Sequence, residues 1–417
     1  MKLRFKFVPV LILAAAVQAV ASAQDLTAFD QSITALIAKY HIPGATIAVA
    51  RGGNLVIARA YGLADREHNI PTQPDSLFRI ASVSKTFTGT AILKLVEEGR
   101  LDLDAKVFLL LDQFQPPPGK RADPRLANIT IHQLLQHTGG WDRDISGDVV
   151  DMGPAAARAL NVPVPVSPDD LIRYGMGRPL DFDPGTRFAY SNYGYLLLGR
   201  VIEKITGMPY DDYVKLAILT PVGIHRMQLG QTSLSERAEG EAVYYDVPGA
   251  PLTWTTVRGG PPVVPAPYAV PLVTLNSCGA WIASSIDLLR FALALDEDSG
   301  HELLLKPATL RQAREDRVPV WTSWNPPGGK RFYGLGWIID VFADGTESWW
   351  HTGGMPGTAS AVTHRPDGIV YAVLFNSGPW TVEFGDLVAS GDAHQAISEA
   401  LDSIKQWPEG DLFDSFR

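Results

Sequence analysis

The sequence has one cysteine, Cys278, among its 417 residues. A single cysteine excludes an internal disulfide and any zinc site made of paired cysteines, and no His-Glu-x-x-His pattern is present. We therefore expect neither a metal nor another cofactor. The fold has to be stabilised by an apolar core, and a chain of this length can bury a large one.

Long apolar runs and an excess of positive charge are also lacking. The apolar run of residues 7–20 is shorter than the roughly 20 residues of a membrane-spanning helix. It follows three cations and precedes Ala21-Ser22-Ala23, which is the order of regions in a cleaved signal peptide. We expect residues 1–23 to be removed on export, leaving a periplasmic or secreted protein without a membrane attachment. The net charge of −9 gives no electrostatic basis for binding nucleic acid.

Hydrophobic periodicity predicts both helices and strands, and no internal repeat indicates a solenoid or a propeller. The predicted helices are Leu26–Tyr40, Val83–Glu98, Ile129–Gln136, Pro168–Tyr174, Asn192–Thr206 and Ala393–Lys405. The predicted strands are Ala45–Ala50, Leu55–Ala60, Phe332–Val341, Trp349–Thr352, Ala359–His364 and Ile369–Asn376.

Strands near both ends of the chain, with helices between them, predict an α/β (α+β) fold. We expect an antiparallel sheet that is flanked by the N- and C-terminal helices and carries a mostly helical insertion. Residues 24–417 would form a single domain, with a sheet part of about 24–90 and 275–417 and a helical part of about 91–274. Residues 248–271 show no period, so we expect a surface loop there; whether it rims a functional site is left open.

Ser82 and Lys85 stand three residues apart at the start of a predicted helix. That spacing places both side chains on one helix face, so a hydroxyl nucleophile would lie beside a possible base. The alternative is a helix-capping serine followed by a surface lysine, and the pair alone does not decide between them. No Gly-x-Ser-x-Gly sequence is present, which excludes the nucleophile elbow of α/β hydrolases.

Tyr190-Ser191-Asn192 is the second candidate motif. Tyr190 could transfer a proton, and Asn192 could offer an amide to a substrate carbonyl. The alternative is a turn followed by a helix for which Asn192 is the N-cap.

The third motif, His351-Thr352-Gly353-Gly354, has a second copy at His137–Gly140. The copy at His351 lies between predicted strands, where backbone N–H groups can form an oxyanion hole. The copy at His137 follows a predicted helix, and its glycines suit a helix end. We therefore assign chemistry to the His351 copy and a structural role to the His137 copy.

In this order and context the three motifs resemble those of the serine beta-lactamase and penicillin-binding protein superfamily, in its class C beta-lactamase-like branch of DD-peptidases, D-aminopeptidases and esterases. The resemblance implies that Ser82 is acylated and that Lys85 or Tyr190 is the base, with the choice left open. It also implies an oxyanion hole formed by the N–H groups of Ser82 and Gly354, with Asn192 orienting the substrate carbonyl.

The resemblance further implies that the segment of residues His351, Thr352, Gly353 and Gly354 binds substrate. Its first position departs from the family pattern, because a lysine that helps to hold the substrate carboxylate is usual where this chain has His351. A histidine with a pKa of about 6.5 is mostly neutral near neutral pH and binds an anion more weakly. We therefore expect a serine hydrolase that acts on ester, amide or beta-lactam/D-peptide substrates, with preference for esters, amides and D-peptides that lack a free carboxylate.

Two alternatives remain on the same fold. One is a DD-carboxypeptidase or a true class C beta-lactamase, and the other is a non-catalytic protein that binds peptidoglycan or peptides. The expected partner in each case is a small molecule or a peptide, and the sequence leaves the oligomeric state open.

Overall fold

The computed structural model describes residues 26–247, 249–256, 260–320, 326, 328–378 and 392–416. The signal peptide predicted for residues 1–23 lies outside the described residues. No helix in these ranges combines the length and the apolar character needed to cross a membrane.

Thirteen α-helices occur in the described part of the chain: α1 (Thr27–Lys39), α2 (Ser84–Glu97), α3 (Val107–Leu110), α4 (Ile131–Leu135), α5 (Arg143–Ser146), α6 (Gly153–Leu160), α7 (Pro168–Met176), α8 (Asn192–Thr206), α9 (Tyr210–Val214), α10 (Leu272–Leu275), α11 (Ser285–Leu293), α12 (Pro307–Glu315) and α13 (Asp392–Asp402). The strands are β1 (Gly44–Arg51), β2 (Asn54–Asp65), β3 (Ile70–Pro71), β4 (Phe78–Arg79), β5 (Gln228–Leu229), β6 (Thr253–Trp254), β7 (Val263–Val264), β8 (Trp281–Ala283), β9 (Val318–Pro319), β10 (Lys330–Tyr333), β11 (Ile338–Val341), β12 (Glu347–Met355), β13 (Thr358–His364) and β14 (Ile369–Phe375).

Nine strands form one antiparallel sheet in the order β3-β2-β1-β14-β13-β12-β11-β10-β9. The two ends of the chain meet at its centre, where β1 pairs with β14 and Val49 lies opposite Tyr371. Side chains of β1 pack into two hydrophobic cores, one on each face of the sheet, because successive side chains of a strand point to opposite faces. Ile47 and Val49 pack with α1 and α13, whereas Ala48 and Ala50 join the larger core on the other face. The predicted sheet, with its flanking terminal helices, is confirmed.

The helices between the two halves of the sheet are organised around α8. Leu196, Leu197 and Ile202 of this helix are fully buried, and α8 packs against α2 and α4. The sequence predicts the bounds of α8 correctly, since its apolar residues keep the helical period and Gly207 ends it with a φ of +71°.

A short turn joins this helical part to the sheet. The chain leaves β4, forms a 3₁₀ turn over Ala81–Val83 and continues into α2. Two hydroxyls of β13 hold the entry to this turn, since Thr358 Oγ1 donates to the carbonyl of Arg79 at 2.9 Å and Ser360 Oγ donates to that of Ile80 at 2.8 Å. Ser82 is thereby fixed where the helical part and the sheet meet.

The predicted strand Phe332–Val341 is wrong as a single element. The structure has two strands, β10 and β11, that pair with Tyr333 opposite Ile338. The turn between them contains Gly336, whose φ of +106° is unfavourable for other residues. A β-carbon on Gly334 would also collide with the carbonyl oxygen of Ala313. The sequence suggests one strand because apolar residues stand on both sides of the turn, Phe332 and Tyr333 before it and Ile338 and Ile339 after it.

Candidate active site

Ser82 lies in the 3₁₀ turn that leads into α2. Ala81, directly before it, has a φ of +46°, a left-handed conformation that costs energy for a residue with a β-carbon. Strain of this kind persists where surrounding contacts impose it, and here the turn is held by β13. Ser82 therefore stands at a backbone position that the tertiary structure enforces.

Lys85 is completely buried, and its ammonium group reaches three acceptors. Its Nζ lies 3.1 Å from Ser82 Oγ, 2.6 Å from Asn192 Oδ1 and 2.7 Å from the carbonyl oxygen of Cys278. Three acceptors match the three N–H groups of a lysine, which offsets the cost of burying the charge. Nζ is also 5.0 Å from the ring centroid of Tyr190. The structure thus brings together the residues of the first two motifs, although more than 100 positions separate Lys85 from Tyr190 and Asn192.

Asn192 is the first residue of α8 and is not its cap. Ser191 is the N-cap, since its Oγ accepts from the backbone N–H of Gly194 at 3.3 Å. The alternative in which Asn192 caps the helix is therefore wrong. Its side chain is available to Lys85, while its backbone N–H donates to Oδ2 of the buried Asp148 at 2.9 Å.

The ring of His137 packs against the ring of Tyr190. The two rings are 4.3 Å apart, and Nδ1 of His137 accepts from the backbone N–H of Ser191 at 3.1 Å. Burial, together with the Lys85 cation, holds the pKa of His137 well below 6.5, which keeps the ring neutral and Nδ1 free of a proton. The sequence assigned this copy of His-Thr-Gly-Gly a structural role but gave no sign that it contacts the second motif.

His351 does not face the cavity beside Ser82. Its side chain is buried, with Nδ1 2.7 Å from the carbonyl oxygen of Thr352 and Nε2 3.1 Å from the hydroxyl of Tyr333. Because a carbonyl only accepts, Nδ1 carries the proton and Nε2 accepts from the tyrosine. Burial, and then the Lys85 cation, lower the pKa of His351 to about 3. Both ring nitrogens are thus satisfied within the protein, and substrate binding by the His351 side chain stays a prediction.

Strand β12 approaches Ser82 through its glycines. A β-carbon on Gly353 would collide with the carbonyl oxygen of Ile80 and would lie 2.9 Å from the backbone nitrogen of Ser82. Gly354, the next residue, lines the same cavity as Ser82. This places two backbone segments close together at one wall, as the predicted oxyanion hole requires. Thr352 contributes its carbonyl to His351.

A cavity of about 590 Å³ opens in front of Ser82. Ser82, Asn192 and Gly354 form its polar wall. Most of the remaining lining is apolar: Val150, Pro154, Val164, Pro165, Val166, Trp254, Val270, Pro271 and Leu275. Among the described lining residues, Arg143 and Asp151 carry charge.

The described residues of the segment 248–271 border this cavity. Its described part contains the short ladder of β6 and β7, which the sequence did not predict, and Thr253, Trp254 and Thr256 line the cavity. Trp254 is 76% exposed, an unusual position for a large aromatic side chain. The described loop residues thus form part of the rim.

Arg79 connects this rim to the Ser82 turn and was not singled out from the sequence. Its guanidinium is fully buried, donates to the carbonyl oxygens of Pro267 at 2.5 Å and Gln231 at 2.8 Å, and stacks on the Tyr244 ring at 4.3 Å. Arg79 stands three positions before Ser82. The loop and the nucleophile segment are therefore packed as one unit. Within the described ranges, no cluster of three or more His, Cys, Asp or Glu side chains is arranged to hold a metal.

Known proteins resemble this chain over most of its length. Esterase EstB of Burkholderia gladioli is 32% identical over 396 residues, covering 86% of this chain and 93% of the esterase. Penicillin-binding protein 4 of Amycolatopsis lactamdurans is 30% identical over 376 residues, covering 87% of this chain and 88% of that protein. The D-stereospecific amidohydrolase of a Streptomyces species superposes with a TM-score of 0.63 at 28% identity, covering 90% of this chain and 98% of the amidohydrolase.

A model of the Beta-lactamase family matches residues 29–393. These likenesses agree with the antiparallel sheet and its flanking helices. The chain belongs to the beta-lactamase family and is a serine hydrolase of that fold.

Proposed function

We propose that the protein is exported and hydrolyses esters or amides through a covalent acyl-enzyme at Ser82. The observation that carries this proposal is the contact of Lys85 Nζ with both Ser82 Oγ and Asn192 Oδ1 at the wall of an open cavity. A protein that only binds peptides needs no buried lysine beside a serine, because burying that charge costs free energy. The hydrolytic hypothesis is therefore favoured over the binding one.

Acylation would begin with attack of Ser82 Oγ on the substrate carbonyl carbon. The hydroxyl proton passes to the deprotonated form of the base, which is the tyrosinate of Tyr190 or the neutral amine of Lys85. The carbonyl π electrons move to its oxygen, which the N–H groups of Ser82 and Gly354 stabilise. Collapse of this intermediate breaks the bond to the leaving alcohol or amine, which takes up the proton. A water molecule then attacks the acyl-enzyme, releasing the acid and restoring the hydroxyl of Ser82.

The residues around Ser82 support a proposal about the substrate class. Where family members use a lysine of the third motif for the substrate carboxylate, His351 is buried, neutral and bound to Tyr333. The wide apolar wall suits a hydrophobic acyl or leaving group. We therefore propose hydrophobic esters and amides in place of substrates held through a carboxylate at β12.

A fluorophosphonate probe followed by peptide mass mapping tests the nucleophile. We expect one adduct, on Ser82, and none in Ser82→Ala. Ser84→Ala is the matched control, since Ser84 is buried and accepts from the backbone N–H of Trp281, so its loss leaves labelling intact. A folded protein that is not labelled at Ser82 would refute the acyl-enzyme.

A substrate panel tests the specificity. Short-chain p-nitrophenyl esters should turn over faster than nitrocefin or a peptide ending in D-Ala-D-Ala. The reverse ranking would contradict the proposed substrate class while leaving the acyl-enzyme intact. Export is tested separately, by N-terminal sequencing of the mature protein, which should begin after Ala23.

A further inference from the structure

Arg143 is a cation at the cavity for which the catalytic proposal has no use. It is exposed at the start of α5 and lines the cavity beside Ser82 and Asn192. Within the described chain no carboxylate lies within ion-pair distance of its guanidinium, and its recorded contact is the Tyr190 ring, 4.9 Å away. An arginine in this state has its N–H groups available to a ligand.

Two neighbouring arginines, unlike Arg143, have polar partners within the protein. Arg187 pairs with Asp142 at 2.7 Å, and Arg178 donates to the carbonyl oxygen of Ser146 at 2.8 Å. Asp142, directly before Arg143, is therefore already bound by another arginine. The segment positions the Arg143 guanidinium against the Tyr190 ring, and Asp151 of the same cavity interacts with it electrostatically without forming an ion pair.

The other cationic candidates near Ser82 cannot bind a substrate anion without breaking existing contacts. Lys85 uses its three N–H groups on Ser82, Asn192 and Cys278. His351 is neutral and bound to Tyr333 and Thr352. Among the described cavity residues, an anionic group can therefore be bound by Arg143.

On the basis of the proposed hydrolysis, we propose that Arg143 determines specificity by binding a carboxylate that the substrate carries away from its scissile bond. The guanidinium, which lies 4.9 Å from the centroid of the Tyr190 ring, would form charge-assisted hydrogen bonds to this carboxylate. Anion recognition would thus occur at α5, in place of the β12 position where the family lysine stands.

Asp151 lines the same cavity, and its negative charge would weaken the binding of an anionic substrate. Desolvation, and then the negative charge of Asp148, raise the pKa of Asp151 to about 6, while Arg143 acts in the other direction. The Cys278 thiol also interacts with Asp151, and burial raises the pKa of that thiol to about 12, so it stays neutral. Above about pH 6 an ionised Asp151 repels a substrate anion, and below it the neutral form does not. The preference for anionic substrates should therefore increase as the pH falls through about 6.

Matched pairs of esters test the role of Arg143. One pair places the carboxylate on the acyl side, as in mono-p-nitrophenyl glutarate compared with p-nitrophenyl valerate. The other places it on the leaving group, as in 3-acetoxybenzoate compared with phenyl acetate. The readout is the ratio of kcat/KM for the anionic ester to that for the neutral one, so any general effect on Tyr190 cancels.

We expect Arg143→Gln to lower this ratio about tenfold in one of the two pairs, mainly through KM, since a charge-assisted hydrogen bond contributes of that order. Arg143→Lys should give an intermediate ratio, because it keeps the charge but not the planar group. Arg226→Gln is the control and should leave both ratios unchanged, because Arg226 is a surface arginine paired with Asp75 and does not line the cavity. Equal ratios in the parent enzyme and Arg143→Gln, with hydrolysis intact, would overturn this inference alone, whereas loss of all ester hydrolysis in the parent enzyme would overturn the proposed function.

The pH arm tests Asp151. Between about pH 7.5 and about pH 5.5, where both substrate carboxylates remain largely ionised, the ratio should rise in the parent enzyme as the pH falls. Asp151→Asn should show the high ratio throughout this range. A pH-dependent ratio that persists in Asp151→Asn would refute the role of Asp151.

Discussion

The two His-Thr-Gly-Gly segments, at residues 137–140 and 351–354, have the same four letters and different structures. The first follows α4, with His137 at a φ of +56° and Gly140 at +111°. The second is extended and pairs along β12 and β13. Gly140 has a positive φ that other residues rarely adopt. Gly353 is required for a different reason, because a β-carbon there would collide with the backbone of the Ser82 turn.

The histidines of the two segments differ in what they contact, although both are buried. His137 contacts Tyr190 and the backbone of Ser191, and His351 contacts Tyr333 and the carbonyl of Thr352. Burial and the Lys85 cation lower the pKa of both histidines. The second segment therefore contacts the Ser82 turn through its backbone, whereas the first segment contacts Tyr190 and Ser191 through the ring of His137.

Alanine at the third position of each segment should give the largest difference between them. In Gly353→Ala the new methyl group collides with the carbonyl of Ile80 and separates β12 from Ser82. We expect kcat/KM to fall by about 10² or more, as when an oxyanion-hole donor is lost. In Gly139→Ala the methyl would lie 2.9 Å from Trp141 and 3.1 Å from Leu134, both side chains that can shift.

The control for this comparison is the melting temperature. Gly139→Ala should lower it by several degrees while a folded fraction still hydrolyses esters, whereas Gly353→Ala should lose activity at temperatures where it is folded. Equal losses of activity in two folded variants would show that the segments do not differ as we infer.

Removing the His137 ring should have the next largest effect. His137→Ala takes away both the ring behind Tyr190 and the acceptor for Ser191, and we expect kcat to fall between about 10-fold and about 100-fold, because small displacements of catalytic groups are costly. His137→Asn keeps a side-chain acceptor and tolerates positive φ, so it should recover part of the loss. Steady-state kinetics on a neutral ester measure both variants; an unchanged kcat in His137→Ala would contradict a positioning role.

His351→Gln should have the smallest effect on activity, because the His351 side chain does not line the cavity. We expect kcat/KM for neutral esters to stay within about threefold, and the free energy of unfolding to change its pH dependence. The folded-state pKa of His351 is lowered from 6.5 to about 3. Below about pH 6.5 the unfolded chain therefore binds a proton that the folded chain does not, and acid reduces stability.

Urea unfolding at several pH values measures this contribution. Between about pH 6 and about pH 4 the His351 ring should cost the parent protein about 1.4 kcal/mol per pH unit relative to His351→Gln. Other groups titrate equally in both proteins, so the difference between the two curves isolates this ring. Parallel curves would show that His351 is protonated in the folded state.

The sequence predicted part of the site for identifiable reasons. Ser82 and Lys85 are close in the chain, so helical spacing alone brings them together. Tyr190 and Asn192 could be identified as a motif, but their contacts with Lys85 and His137 join residues far apart in sequence. Arg79 and Arg143 could not be identified, because an arginine carries no local sign of whether it is buried against Tyr244 or exposed beside Tyr190.

The sequence by itself determined the type of most helices and strands, the meeting of both chain ends in one sheet and the order of the three motifs. Periodicity and turn residues act locally, so they can be read without knowing neighbours in space. Only the tertiary structure decided that Ser191 caps α8, that residues 332–341 contain a turn between two strands and that His351 is turned away from the cavity. Burial and charge depend on contacts between residues that are distant in the chain. Such contacts determine that His137 packs against Tyr190 and that Arg143 is exposed at the cavity.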